Sequence, residues 1–126
     1  MYDIAIIGGG PAGLAAGLYG ARGGMDTVLL ENMLVGGQIT KTTQVDNYPG
    51  FPDGIDGFAI GTNMQKQAER FGLEIKRTGV DSVELEGEIK RLHCGREVIE
   101  AKAVIIATGA HPKKLGLDRE EKLSLI

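Results

Sequence analysis

A chain of 126 residues with 42% hydrophobic side chains is long enough for one globular core that hides ~65–70% of its unfolded surface, so a single domain is expected. Its net charge of −3 comes from interspersed acidic and basic residues, which excludes the basic stripe that draws nucleic acid, and its apolar runs fall far short of the ~20 residues that cross a bilayer. The first residues lack the basic region of a signal peptide, and the single cysteine, Cys94, excludes an internal disulfide framework, an internal CxxC and a cysteine-built metal cage, so a soluble, cytoplasmic protein is expected.

The twenty glycines sit in clusters between apolar runs and divide the chain into elements. Residues 2–7, rich in isoleucine and closed by Gly8-Gly9-Gly10, predict a fully buried parallel strand. Pro11 suits the first turn of a helix, where its missing N–H has no partner to lose, and the small side chains of residues 12–22 let that helix lie close on a sheet. Gly23-Gly24 stops it, and residues 27–30 predict a second strand ending at Glu31, which completes a βαβ unit.

Residues 32–57 read as a long irregular loop punctuated by Gly36, Gly37, Pro49, Gly50, Pro52, Gly54 and Gly57, a length that usually marks function or disorder. Residues 58–71 carry Ile60, Met64, Ala68 and Phe71 on one helical face, with Gly72 as the cap. Residues 74–77, 81–86, 89–93 and 97–101 alternate as short strands. The last three predict an antiparallel meander with turns at Glu86-Gly87 and Cys94-Gly95. Residues 103–107 predict a second buried strand, closed by Thr108-Gly109, and the tail 117–126 is ambiguous.

Gly8-Gly9-Gly10-Pro11-Ala12-Gly13 fits GxGxxG between a predicted strand and a predicted helix, the context the motif requires. Gly8 would permit the tight turn, Gly10 a close approach of backbone to pyrophosphate, and Gly13 tight packing of helix on strand. Free N–H groups and the positive helix end would then attract phosphates. Glu31 stands where a carboxylate accepts hydrogen bonds from adenosine ribose hydroxyls and repels a 2′-phosphate. The fingerprint alone serves nicotinamide and flavin dinucleotides equally.

Further segments narrow the choice: Gly36-Gly37-Gln38-Ile39, Val45-Asp46-Asn47-Tyr48-Pro49-Gly50 and Ile105-Ile106-Ala107-Thr108-Gly109-Ala110. Together with GGGPAG and Glu31, in this order, they resemble the low-molecular-weight thioredoxin reductases over essentially the whole chain. The resemblance implies FAD as cofactor and an α/β, Rossmann-like FAD-binding domain, a parallel sheet with an added antiparallel three-stranded meander, here incomplete. Residues 1–115 would form its first segment and 116–126 a linker toward a nicotinamide and CxxC domain. It implies FAD contacts at Gly8, Gly10, Pro11, Ala12, Gly13 and Glu31, at Gly36, Gly37 and Gln38 along the ribityl and ring, at Asn47 near the isoalloxazine, and at Ala107, Thr108 and Gly109 where the chain leaves the domain. It carries a backbone contact to the adenine over to Val83.

In full-length relatives, thioredoxin or a similar disulfide protein is the implied partner and a homodimer the implied assembly, with no nucleic-acid or membrane partner. Disulfide exchange needs two thiols, one nucleophilic and one resolving, and Cys94 has no second cysteine. No catalytic residue is therefore assigned, and this chain alone is expected to be inactive, with an incomplete flavin site of weak affinity. His93 and His111 lack ligand-spaced neighbours, so no metal is assigned, and Asp46, Asp118, Glu120 and Glu121 read as solvated carboxylates. Leu123-Ser124-Leu125-Ile126 has no stop signal, as though cut within a linker. The alternatives are a FAD-binding module that stands alone or is completed by a partner, without reductase activity, and a nicotinamide-dependent dehydrogenase fragment. Neither the electron donor, among NADPH, NADH and ferredoxin, nor the disulfide substrate is encoded in these residues.

Overall fold

The computed structural model describes residues 1–117, 119 and 120; the predicted linker beyond Glu120 lies outside the described residues. The elements in order are β1 (Tyr2–Ile7), α1 (Pro11–Arg22), β2 (Thr27–Leu30), a 3-10 turn (Gly37–Lys41), α2 (Gly57–Arg70), β3 (Glu74–Lys76), β4 (Ser82–Glu84), β5 (Lys90–Cys94) and β6 (Glu97–Ile106). They form one six-stranded sheet in the order β3-β2-β1-β6-β5-β4. The first four strands of that order are parallel, and β6-β5-β4 are antiparallel.

Alternation along the parallel strands sorts side chains onto two faces. Ile6 and Leu29 face α1 and α2, where Leu14, Ala68 and Leu73 complete a cluster with Val35. Ala5, Val28 and Leu30 face the other way and pack with Leu92, Cys94, Ile99 and Ala101 of the meander. The parallel sheet is thus covered on both sides, helices on one and the meander on the other. Full burial of each large apolar side chain here contributes ~1.5–3 kcal/mol. Helix α1 approaches the sheet closely because its buried residues are Gly13, Leu14, Gly17 and Gly20.

Four expectations change. The third meander strand and the second buried strand are a single strand, β6, which pairs with β5 through Glu97–Ala101 and with β1 from Ala101 to Ile106. Its last residues are not buried: Ile105 is 36% and Ile106 63% exposed, because no described strand pairs with β6 on its far side beyond Ala101. In β1 only Ala5 and Ile6 are fully buried, the other positions being intermediate. The loop predicted over residues 32–57 holds the 3-10 turn and a bridge between Val45 and Ile55, so part of it is ordered by its own backbone hydrogen bonds. Helix α2 begins at Gly57, with the Asp56 side chain accepting a 2.9 Å hydrogen bond from the Ala59 N–H as its cap. No described helix is long and apolar enough to cross a membrane.

Candidate dinucleotide-binding site

The site is built where β1, β2 and β6 end together. Ile7 is level with Leu30 and with Ile106, so the three chains leave the sheet side by side at Gly8, Glu31 and Ala107. Gly8 has φ +108°, and a Cβ there would stand 2.2 Å from the Ala107 carbonyl oxygen, so only glycine lets β6 pass this turn. A Cβ on Gly13 would stand 1.9 Å from the Gly8 carbonyl oxygen, which shows how closely α1 returns over the end of β1.

Gly10 behaves differently. It is the N-cap of α1 with an ordinary extended backbone, φ −75°, and the nearest atom to a Cβ placed there is Gly37 Cα at 3.8 Å. Nothing in the fold itself requires glycine here; the space a side chain would fill lies at the helix start. Leu14 donates to the Gly10 carbonyl at 2.9 Å, while the N–H groups of Gly10, Ala12 and Gly13 have no acceptor among the described residues. Pro11 has no N–H to leave unpaired. Such unpaired donors at a positive helix end suit an anion.

Glu31 closes the floor. Its Oε2 accepts the Gly9 N–H at 2.8 Å and its Oε1 accepts the Met33 N–H at 2.9 Å. A carboxylate offers about four acceptor positions, so two remain for hydroxyl donors. Sequence reasoning missed Gly9, since the motif leaves that position unspecified; a Cβ there would crowd the Glu31 side chain at 3.0 Å. Met33 carried no signal at all, because it contributes only its backbone.

The remaining segments are held to this turn by hydrogen bonds. Gly36 N–H donates to the Gly9 carbonyl at 2.7 Å, and a Cβ on Gly37 would lie 2.9 Å from Gly10 Cα. Thr40 Oγ1 donates to the Gly37 carbonyl at 2.7 Å and locks the 3-10 turn. The Gln38 amide reaches the carbonyl of Ala110 in the exit segment. Gly8, Gly10, Pro11, Ala12, Gly13, Glu31, Gly36, Gly37, Gln38, Ala107, Thr108 and Gly109 are therefore one spatial cluster. Asn47 is exposed in the loop after Val45, and no hydrogen bond among the described residues joins it to the cluster.

Val83 is not gathered in either. It sits on the edge strand β4, opposite Leu92 and 38% exposed. The chain that does reach the rim after β3 is Gly79, where a Cβ would meet the Asn32 side chain at 3.3 Å, followed by Val80, which packs on the core beneath the meander.

Cys94 is 5% exposed, at the end of β5 rather than in the turn itself. Burial, with the nearby Glu97 and Asp81 carboxylates, pushes its thiol above the ordinary range, the reverse of an activated nucleophile. No group of three or more metal-ligating side chains occurs among the described residues.

The model of the pyridine nucleotide-disulphide oxidoreductase family matches residues 2–125. A thioredoxin reductase of Peptoclostridium litorale is 49% identical over 124 residues, which cover 98% of this chain and 39% of the relative. Thioredoxin reductase of Lactococcus lactis superposes with a TM-score of 0.91 at 38% identity, over 98% of this chain and 41% of that one. A ferredoxin-flavin thioredoxin reductase of Clostridium acetobutylicum superposes with a TM-score of 0.81 at 31% identity, over 97% and 42% of the two chains. The chain spans about two fifths of the length of the relatives it matches. With the glycine turn, its acidic floor and the match in sequence and fold together, the chain belongs to the pyridine nucleotide-disulphide oxidoreductase family.

Proposed function

We propose that the cluster at the ends of β1, β2 and β6 binds FAD, and that the chain is the flavin-holding portion of a thioredoxin-disulfide reductase-like oxidoreductase. Membership of the family implies a flavin, and one similar structure carries flavin in its name. The observation that carries the reading is Gly10: its own conformation and packing admit alanine, yet it caps α1 beside the N–H groups of Ala12 and Gly13, which have no acceptor among the described residues, so a methyl group there would crowd an anion bound at the helix start.

In this reading Gly10, Ala12 and Gly13 hold the pyrophosphate, with Pro11 fixing the first turn. Glu31 accepts the ribose hydroxyls on its two remaining acceptor positions. Gly36, Gly37 and Gln38 run beside the ribityl chain, and Ala107, Thr108 and Gly109 border it where the chain leaves β6. Asn47 would join the ring end through the loop 46–54. Gly79 and Val80, rather than Val83, border the adenosine. Bound FAD would accept and donate electrons; the residues here bind and orient it.

Disulfide exchange needs a thiolate and a resolving thiol, and one buried cysteine supplies neither. Reduction of thioredoxin or a similar disulfide protein would therefore use residues outside these 126, and the electron donor would be chosen there as well.

A second reading has support from the open side of β6. With Ile105 and Ile106 exposed along an unpaired strand edge, the chain could serve as a FAD-binding module completed by another polypeptide. Titrating the purified chain with FAD and with NAD, while measuring its mass in solution, tests both readings. FAD binding in preference to NAD supports the flavin site; NAD binding without FAD binding contradicts it. Flavin retained only in a larger assembly selects the completed module.

A further inference from the structure

Gln38 does more in this fold than border a cofactor. Its backbone stands on a fixed platform: Gly36 is tied to Gly9, Thr40 closes the turn on Gly37, and the Thr42 N–H donates to the Ile39 carbonyl at 3.0 Å. Gly57, at the start of α2, packs against that platform so closely that a Cβ would lie 2.0 Å from the Ile39 carbonyl oxygen. From this rigid base the Gln38 amide nitrogen donates to the carbonyl of Ala110.

Ala110 lies just past the end of β6. The last backbone hydrogen bond of β6 to the sheet side is from Ala107 N–H to the Ile7 carbonyl at 2.8 Å. Residues 108–117 are exposed and have no regular secondary structure. Between Thr108 and Lys113, the Gln38 bond is the one hydrogen bond to the rest of the protein among the described residues.

We propose that Gln38 is a positioning residue: a clasp that fixes the exit segment at Ala110 over the glycine turn and so couples the dinucleotide site to the direction in which the chain leaves the domain. The coupling half rests on the flavin reading above; the clasp itself does not. A ligand that orders residues 36–38 strengthens the clasp, and by linkage the clasp strengthens the ligand to the same degree.

The test uses trypsin, because Lys113 and Lys114 follow Ala110 closely in an exposed stretch. Brief digestion of the chain, read by mass spectrometry of the products ending at either lysine, reports opening of the segment. Gln38→Ala is expected to raise the initial cleavage rate there about 3–10-fold, the opening that follows loss of one ordinary hydrogen bond. Gln38→Glu, of equal length but without a donor when ionised, is expected to behave like Gln38→Ala. Gln67→Ala, at an exposed position of α2, is expected to cleave like the unaltered chain.

The carbonyl carbon chemical shift of Ala110, which moves when the carbonyl loses a hydrogen-bond donor, adds a readout that packing alone would not move. In Gln38→Glu the shift is expected to return toward that of the unaltered chain below about pH 4, where the carboxyl is protonated and donates again, and not to return in Gln38→Ala. FAD is expected to slow cleavage of the unaltered chain and to lose that effect in both variants. Equal cleavage of the unaltered chain, Gln38→Ala and Gln38→Glu without flavin overturns the clasp. Faster cleavage of the variants in a chain that binds no FAD supports the clasp and overturns the flavin reading.

Discussion

Gly10→Ala and Gly13→Ala put the same methyl group three residues apart and should do opposite things. At Gly10 the backbone, φ −75° and extended, suits alanine, and the new methyl would meet nothing nearer than Gly37 Cα at 3.8 Å. The stability cost is that of alanine at an N-cap, at most about 1 kcal/mol. The same methyl would hold a phosphate away from the N–H groups of Ala12 and Gly13. A helix end in a partly buried setting is worth up to ~2 kcal/mol to an anion, so FAD affinity should fall about 30-fold. At Gly13 alanine gains ~0.8–1.0 kcal/mol of helix propensity. It also drives a methyl to 1.9 Å from the Gly8 carbonyl oxygen, which is backbone and cannot rotate away. Overpacking costs about 1–3 kcal/mol, and a clash with fixed backbone belongs at the upper end, so the net effect is a destabilisation of about 2 kcal/mol, a fall in Tm of roughly 5–10 °C. Thermal unfolding by circular dichroism and a FAD titration of both variants read the two effects separately. If Gly10→Ala binds FAD like the unaltered chain but melts as low as Gly13→Ala, Gly10 is a packing glycine and the reasoning fails.

Other consequences follow from the same geometry. Glu31→Gln turns one acceptor into a donor facing the Gly9 or Met33 N–H and is expected to weaken FAD about 10-fold or more, because bonds to a charged acceptor are the stronger kind; unchanged binding by fluorescence titration would remove Glu31 from the site. Cys94, with its thiol pushed up by burial and the Glu97 and Asp81 carboxylates, should react slowly with an aromatic disulfide at neutral pH and quickly once the chain is unfolded; equal rates would contradict its placement. Asp3 is held below its ordinary value of 3.8 first by the hydrogen bond from Lys102 and then by the Asp26 N–H. A depressed carboxyl stabilises the fold above its unfolded value and loses that contribution as pH falls through the folded one. Denaturant unfolding should therefore separate the unaltered chain from Asp3→Asn at neutral pH and bring them together as pH falls from ~3.8 through the lower folded value, a convergence whose absence would refute the pairing.

The first βαβ unit was legible because its signals are local. An isoleucine-rich strand, a glycine turn, Pro11 and a short second strand each constrain the neighbouring residues, and Glu31 follows directly. What escaped depends on contacts distant in sequence. Lys102 separates two strand-like runs in the sequence, but β6 continues through it because its side chain points outward to Asp3 while the backbone pairs with β1. Ile105 and Ile106 look like core by composition, yet exposure depends on whether a further strand covers them. The partners of Gln38 and Glu31 are backbone groups, which have no signature in side-chain identity. Val83 carries no side-chain signal for a backbone contact, and the short strands of the meander fix register only through their pairing with one another.

A glycine turn that grips the adenosine and pyrophosphate end of FAD should distinguish ligands that carry that end from ligands that lack it. Competition against FAD bound to the chain, with ADP in one series and FMN in the other, tests it most directly, since FMN keeps the flavin but lacks the adenosine. ADP is expected to displace FAD, and FMN to do so far more weakly. Displacement by FMN as readily as by ADP would contradict it.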